Sequence, residues 1–196
     1  MARIRTINKG TRRELINDTA AALFRAKGFT ASSMRELAEK MGVEAPSLYN
    51  HIGSKGEILH SICFKIAREF LHNMKQVMQM PANELTRIEA IIRFHLFMML
   101  NHYDEVFVAN HEWRQLEEPA RSEFLSLRNQ YEQQFSQIIS QGIKAGEFKK
   151  VEPQIAVLVI LSAVRGLEFL NLAKKHRNTP NLTTDITNHL LKGLIP

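Results

Sequence analysis

The sequence predicts an all-α fold of about nine helices, divided between a small N-terminal unit and a larger C-terminal bundle. Glycine and proline are scarce, with 9 and 6 among 196 residues, whereas β-rich folds usually need more turn residues. Apolar residues recur at three- and four-residue spacing along most of the chain, as they do on the buried face of a helix. Signals that start and end helices separate these segments and so predict the order of the elements.

The first two helices are predicted from capping signals at their ends. Thr11 and Glu14 have the spacing of a capping box, in which each side chain bonds to a backbone amide at the start of the helix. An apolar stripe follows, and Gly28 is placed to end this helix. Ser33 and Glu36 form a second capping box and begin a shorter helix, which runs over about 33–40.

A third helix is predicted over 45–52, after a turn at about 41–44. Pro46 is expected to open it, because the first N–H groups of a helix have no helical partner. Leu48 and Ile52 are four residues apart and share the buried face. Gly53 then ends this helix. A capping box at Ser54 begins a long fourth helix, which continues to about Met78.

The C-terminal half contains longer and more apolar segments, which are expected to form a helical bundle. Prolines or glycines fall near most of their ends. The predicted helices cover 84–101, 104–116, 120–145, 152–176 and 182–194. We therefore expect three parts, namely an N-terminal unit over 1–54, a connecting helix over 55–80 and the bundle over 81–196.

Charge and cysteine content narrow the class of protein. Residues 1–60 carry 10 Lys or Arg against 6 Asp or Glu, and five of the basic residues lie in the first 13 positions. Such a basic arm favours a polyanion such as nucleic acid, although a solvated tail has the same composition. The single cysteine excludes an internal disulfide and indicates a reducing cytoplasm. No apolar run reaches the roughly 18 residues of a membrane span, and no signal peptide is recognisable.

Three short helices with a tight turn and outward polar groups on the third describe a helix-turn-helix, which binds double-stranded DNA. Asn50 is expected to read an adenine edge in the major groove, and Ala45 and Pro46 to touch thymine methyl groups. Tyr49 and His51 are expected to reach phosphates. Lys55 would add charge at the start of the fourth helix, where free amides already favour an anion. The remaining predicted contacts are Ser47 on the third helix and Ser32, Ser33 and Arg35 at the start of the second.

Residues 28–59, GFTASSMRELAEKMGVEAPSLYNHIGSKGEIL, resemble the DNA-binding signature of the TetR family of transcriptional regulators. Two positions depart from that signature, since Ala45 stands where many members have a capping serine and Ile52 replaces the usual phenylalanine. The resemblance implies a homodimer on a palindromic operator, most often as a repressor, with a ligand pocket in the C-terminal bundle. It also implies that ligand binding swings the fourth helix and moves apart the third helices of the two subunits, which are the recognition helices that enter the DNA.

One C-terminal segment predicts where two copies of the chain would meet. Residues 155–164, IAVLVILSAV, are apolar on nearly every side, whereas a surface helix should have a polar face. The segment lies either at the centre of the bundle or between the core and a second subunit. We favour the second arrangement, in which helices 152–176 and 182–194 form a homodimer interface.

Aromatic and flexible apolar residues in the bundle suit a large apolar effector, although any one of them can equally be core. Residues 111–148 also resemble a subgroup of TetR-like regulators of lipid, sterol and aromatic-acid degradation, which implies an acyl-CoA-like effector. Arginines would then meet its phosphates or carboxylate, or else form ordinary salt bridges. The expected pocket residues are Phe94, Phe97, Met98, Phe107, Trp113, Arg114, Arg128, Phe135, Arg165 and Phe169.

Other kinds of site have little support in the sequence. His95, His102 and His111 lie near Glu112, but the spacing of His95 and His102 does not form a chelating pair, so no metal site is predicted. No nucleophile and base are paired and no two carboxylates are placed for acid–base chemistry, so neither an enzyme nor a cofactor is expected. The alternative function is a lipid or acyl-CoA carrier whose basic arm meets a membrane surface.

Overall fold

The computed structural model describes residues 12–168 and 181–195, and every described regular element is helical. The N-terminal unit contains α1 (Arg12–Lys27), α2 (Met34–Met41) and α3 (Ala45–Tyr49). The connecting helix is α4 (Lys55–Gln79). The bundle contains α5 (Glu84–Asn101), α6 (Tyr103–His111), α7 (Ala120–Lys144), α8 (Pro153–Arg165) and α9 (Leu182–Lys192). The predicted all-α class and the order of helices within the described ranges are confirmed.

The predicted capping box of α2 forms in full. The Ser33 hydroxyl accepts the backbone N–H of Glu36, and the Glu36 carboxylate accepts the N–H of Ser33. At α4 only half of the predicted capping box forms, because the Ser54 hydroxyl accepts the N–H of Glu57 but the Glu57 carboxylate accepts the N–H of Gly53 and not that of Ser54. Gly42 ends α2 with φ +66°, a left-handed conformation that favours glycine. Thr11, the predicted cap of α1, lies outside the described residues.

The third helix is shorter than predicted. It ends at Tyr49, and the N–H groups of both His51 and Ile52 then bond to the carbonyl of Leu48, which closes a turn. Ala45 is the first helical residue and Pro46 the second, so the prediction that Pro46 opens the helix is wrong by one position. The N-cap residue is Glu44 and not residue 45, and its side chain makes no capping bond.

Two bundle helices also differ from the sequence prediction. The segment 104–116 does not form one helix, because α6 ends at His111 and a separate turn of 3₁₀ helix covers Trp113–Gln115. The helix predicted over 152–176 is described as Pro153–Arg165 with Gly166 as its cap, and residues 169–180 lie outside the described ranges. Helix α9 ends at Lys192, two residues before its predicted end.

One continuous hydrophobic core joins the N-terminal unit to the bundle. Ile58, Leu59 and Ile62 of α4 are fully buried in it, together with Ile16 of α1 and Leu48 of α3. Further along α4, Met74 and Val77 are buried among the bundle helices. Because α4 contributes to both halves of this core, a displacement of α4 must move both units.

Candidate DNA interface and effector cavity

The outward face of α3 and the turn after it carries the polar groups that the sequence predicted. Leu48 is completely buried and Ile52 nearly so, and these two residues fasten α3 to the core. Tyr49 is 54% exposed, and Asn50 and His51 beside it are also exposed. The short helix α3 and the turn after it therefore together present a compact polar surface. On the same short helix Pro46 is exposed, whereas Ala45 and Ser47 are half-buried.

The start of α2 forms a second exposed edge. Ser33 and Arg35 are exposed, and the Ser33 hydroxyl also bonds to the Glu36 carboxylate at 3.0 Å. Ser32 differs, since it is only 4% exposed and its hydroxyl donates to the carbonyl of Gly28 at 2.6 Å. The predicted contact between the Ser32 side chain and DNA does not fit this burial.

Lys55 occupies an unexpected position. Its ammonium group donates to the backbone carbonyls of Phe29 and Ser32 at 2.7 Å each and to that of Thr30 at 3.3 Å. It also lies 4.4 Å from the centre of the Phe29 ring, close enough for a cation–π interaction. All three N–H donors therefore have partners within the protein. This geometry does not match the prediction of a lysine open to phosphate.

A cavity of about 70 Å³ lies among α4, α5, α6, α7 and α8. Most of its wall is apolar, with aromatic rings from α4 and α7 and aliphatic side chains from every one of these helices. The polar groups in the wall are Asn110, Arg128, Glu132, Arg165 and the pair His95 and Tyr131. Apolar contributors are Ile66, Ala67, Phe70, Met99, Val106, Ala109, Phe124, Leu127, Leu161 and Val164.

Two arginines give the cavity a cationic side. No carboxylate of the described residues lies within 4.0 Å of the guanidinium of Arg128 or Arg165, although Glu132 lines the same cavity. Burial lowers the pKa of Arg128, and the nearby positive charge of Arg165 lowers it further. Arg128 also lies 5.6 Å from the centre of the Trp113 ring. Arg128 and Arg165 therefore repel each other, and the nearby carboxylate of Glu132 offsets part of this effect on the pKa of Arg128.

The remaining wall polarity comes from an internal hydrogen bond. His95 Nε2 lies 2.8 Å from the hydroxyl oxygen of Tyr131, and both side chains are buried. Burial lowers the pKa of His95 to about 3, and the nearby Arg165 acts in the same direction. The imidazole is therefore neutral near pH 7. The sequence prediction placed neither residue in the pocket, because their hydrogen bond joins two residues that are 36 positions apart in the chain.

Of the predicted pocket residues that the structure describes, two line this cavity, namely Arg128 and Arg165. Phe135 is fully buried in the core, and Trp113 packs behind the wall against Phe124. The other described ones face elsewhere, since composition alone does not show which face of a helix meets the cavity. Phe94, Phe97 and Met98 line a separate surface groove, Phe107 stacks on His111, Arg114 stacks on Trp113, and Phe169 lies outside the described residues.

Within the described ranges, no group of three or more His, Cys, Asp or Glu is placed to hold a metal ion. His102 instead lies 3.3 Å from the Glu105 carboxylate, and His111 lies 3.1 Å from that of Glu168. Cys63 is buried, and burial raises the pKa of its thiol to about 12. No helix in the described part of the chain is both long and apolar enough to cross a membrane.

Helix α8 has two apolar faces. Val157, Leu161 and Val164 are buried against the bundle. On the opposite side Ile155, Leu158 and Val159 are 56%, 58% and 56% exposed. Exposed aliphatic side chains grouped along one helix are typical of a surface that another protein covers.

Helix α6 joins the cavity to the N-terminal unit. One side of it lines the cavity through Val106, Ala109 and Asn110. Asp104, on the same helix, forms an ion pair with Arg25 near the end of α1. Glu105 is only 5% exposed and accepts from Lys65 of α4 at 2.7 Å. Burial opposes the charge of Lys65, but this hydrogen bond and the charge of Glu105 outweigh it and raise the pKa of Lys65.

Comparisons with known proteins agree with this architecture. Residues 16–62 match the sequence model described as bacterial regulatory proteins, tetR family. Residues 81–168 match the one described as tetracyclin repressor-like, C-terminal domain. The chain is 23% identical over 163 residues to the HTH-type transcriptional repressor KstR2 of Mycobacterium tuberculosis, covering 83% of this chain and 80% of the relative. It is also 23% identical over 145 residues to KstR2 of Rhodococcus jostii, covering 74% and 71%.

Solved structures show the same fold. The ketosteroid transcriptional regulator KstR2 of Mycobacterium tuberculosis superposes with a TM-score of 0.85 at 19% identity, over 96% of this chain and 97% of the other. AibR, solved in complex with isovaleryl coenzyme A and operator DNA, superposes with a TM-score of 0.79 at 23% identity, over 95% and 99%.

Proposed function

Because the chain belongs to the TetR family of bacterial regulatory proteins, we propose that it is a ligand-responsive repressor. In this proposal it leaves a palindromic operator when a large apolar effector of the acyl-CoA type binds. The observation that carries the proposal is the presence, in one chain, of an outward helix-turn-helix face and a separate cavity with two arginines that have no carboxylate partner among the described residues. The continuous core through α4 connects them.

In the proposed complex, α3 enters the major groove of double-stranded DNA. Asn50 reads an adenine edge, and Ala45, Pro46 and Ser47 lie against neighbouring bases. Tyr49 and His51 contact phosphates, and Ser33 and Arg35 contact the backbone at the other edge of the groove. Lys55 acts indirectly by holding the turn before α2 against the start of α4.

The proposed operator is palindromic because the protein acts as a homodimer. The exposed face of α8 supports this proposal, since a second copy related by a two-fold axis would cover Ile155, Leu158 and Val159. Helix α9 would lie beside it in the same interface. Two copies of α3 would then reach major grooves about one helical turn apart, roughly 34–36 Å.

The proposed effector has an apolar part and an anionic part. The apolar wall suits an acyl group, and Arg128 and Arg165 suit phosphate or carboxylate oxygens. AibR was solved with isovaleryl coenzyme A and KstR2 is named a ketosteroid regulator, and both share this fold. These names support a hydrophobic acid or its CoA thioester as the class of effector.

The proposed signal passes through α6 and α4. An effector that pushes against Val106 or Ala109 would displace α6, and the ion pair between Asp104 and Arg25 would carry that displacement to α1. The buried pair of Glu105 and Lys65 would move α4 at the same time. Both movements would change the spacing of the two α3 helices. Differential binding of 1–3 kcal/mol, about 5- to 150-fold, is typical of such coupling.

Fluorescence anisotropy with DNA from upstream of the protein's own gene tests the proposal. We expect saturable binding at sub-micromolar protein that weakens steeply with salt, and release when a long-chain acyl-CoA is added. A matched variant, Arg93→Met, changes an exposed arginine of α5 and should leave both results unchanged. Absence of specific DNA binding would overturn the proposal. Liposome flotation would then test the lipid-carrier alternative.

A further inference from the structure

His95 of α5 and Tyr131 of α7 are the most deeply buried polar side chains in the cavity wall. They retain only 8% and 7% of their accessible surface, and both line the cavity. The ring of Phe70 lies beside them, with its centre 4.5 Å from that of His95 and 5.8 Å from that of Tyr131. The pair is thus a small polar site that borders apolar side chains and lies near enough to Arg165 for its charge to act on both groups.

Among the described residues, His95 and Tyr131 use only part of their hydrogen-bonding capacity. A neutral imidazole has one N–H and one bare nitrogen, and a phenol has one O–H and two lone pairs. If Tyr131 donates to Nε2, the Nδ1–H of His95 and the phenol oxygen remain available. If Nε2–H donates instead, the phenol O–H and the bare Nδ1 remain. In the described part of the chain, neither side chain has a further hydrogen-bond partner, so one donor and two acceptor positions are left over.

The two groups offer hydrogen bonds and no charge. Burial keeps His95 neutral near pH 7, and burial also raises the pKa of Tyr131. The cationic groups, Arg128 and Arg165, are separate members of the wall. The cavity therefore offers cationic groups suited to an anion and, near Arg165, a neutral pair suited to an uncharged polar atom.

We propose that His95 and Tyr131 form a recognition site for an uncharged oxygen, either a hydroxyl or a carbonyl, on the apolar part of the effector. This inference rests on the proposed function, in which the arginines hold the anionic part. A plain hydrocarbon would bury the spare donor and acceptors without partners and would bind more weakly for that reason. The pair thus selects oxygenated acyl groups over simple fatty acyl groups.

Isothermal titration of the full-length protein with CoA thioesters tests this selectivity. The probes are decanoyl-CoA and its keto and hydroxy derivatives, each with one oxygen at a different carbon of the chain. We expect at least one derivative to bind about 10-fold more tightly than decanoyl-CoA. In the double variant His95→Leu/Tyr131→Phe, which removes every donor and acceptor of the pair, the difference should fall to within about twofold, while the affinity for decanoyl-CoA should not fall.

Two further variants keep the test decisive. Tyr103→Phe removes a hydroxyl on α6 that does not line the cavity and should leave the preference unchanged. Tyr131→Phe alone keeps the imidazole and should reduce the preference in part, so it provides the test if the double variant does not fold. Equal affinities across the series, or an equal loss for decanoyl-CoA and its derivatives in the double variant or in Tyr131→Phe, would overturn the proposal while leaving the DNA-binding function intact. If no thioester binds, the proposed effector class and this inference both fail.

Discussion

The ammonium nitrogen of Lys55 lies 2.7 Å from the carbonyl oxygen of Ser32 and so ties the first residue of α4 to the residue before the cap of α2. The same nitrogen also bonds to the carbonyls of Phe29 and Thr30. This lysine therefore sets the angle between the helix-turn-helix and the helix that leads into the bundle. A point charge with three donors is well suited to collect carbonyl groups that belong to no helix.

Replacing Lys55 tests whether it positions the domain or contacts DNA. Lys55→Met should weaken operator binding about 10-fold and lower the free energy of unfolding by about 1–3 kcal/mol, because three carbonyls lose their partner. A positioning role leaves the slope of log affinity against log salt unchanged, whereas loss of a phosphate contact reduces it by about one. A reduced slope with unaltered stability would show that Lys55 contacts phosphate directly.

Removing one cavity arginine should stabilise the free protein and weaken effector binding. In Arg165→Met the repulsion with Arg128 disappears, so we expect the free energy of unfolding to rise by about 1 kcal/mol. Affinity for a long-chain acyl-CoA should fall at least 10-fold, because a charge-assisted contact is lost. Denaturant titration and calorimetry measure the two effects. A loss of stability together with unchanged acyl-CoA affinity would contradict the proposed role of Arg165.

A charge on the exposed face of α8 should separate the proposed dimer. Leu158→Lys would bring two lysines together across a two-fold axis in an apolar surface, and sedimentation should then show monomers with much weaker operator binding. Leu125→Lys on α7 is the matched control, because Leu125 is also exposed but lies outside the α8 face. If Leu158→Lys remains dimeric, the interface lies elsewhere.

The ion pair between Asp104 and Arg25 should transmit the effector signal without affecting effector affinity. Asp104→Asn removes the charge at nearly constant volume. We expect the affinity of the variant for acyl-CoA to stay within about twofold of that of the parent protein. The factor by which acyl-CoA weakens DNA binding should become about 5-fold smaller, which is the lower end of typical allosteric coupling. Anisotropy with and without acyl-CoA measures this coupling. Full release by acyl-CoA in the variant would exclude this route.

The neutral state of His95 predicts how stability depends on pH. Its pKa is about 3 in the folded protein and about 6.5 when unfolded, so below pH 6.5 the unfolded chain binds a proton that the folded chain does not. Stability is therefore fully present above pH 6.5 and falls by about 1.4 kcal/mol per pH unit below it. Denaturant titrations between pH 6.5 and 5 should show this slope. His95→Gln should lack it, and equal slopes in both proteins would refute the assignment.

The DNA-binding half of the molecule was largely predictable from the sequence, because its structure depends on short-range signals. The capping box at Ser33, the N-cap bond of Ser54 and the buried positions of Leu48 and Ile52 are all set within a few residues of chain. The exposure of Tyr49, Asn50 and His51 follows from those anchors. The exact end of α3 could not be predicted, since it depends on the carbonyl of Leu48 accepting two N–H groups in the closing turn.

The cavity could not be predicted in the same way. The sequence suggested an apolar pocket and correctly included Arg128 and Arg165, but it could not distinguish the aromatic residues that line a cavity from those that fill the core or face solvent. Phe135 and Phe97 illustrate the two failures, because the first is fully buried and the second is 50% exposed. Periodicity identifies the apolar side of a helix but not the neighbour that this side meets.

The sequence by itself therefore determined the helices, the DNA-binding motif and the family, because capping, periodicity and motif spacing act along the chain. Only the tertiary structure decided which distant residues meet. It joined His95 to Tyr131, directed the ammonium group of Lys55 to the carbonyls before α2, and left one apolar face of α8 uncovered. Such contacts between residues far apart in the chain arise from the packing of whole helices, which no local pattern specifies.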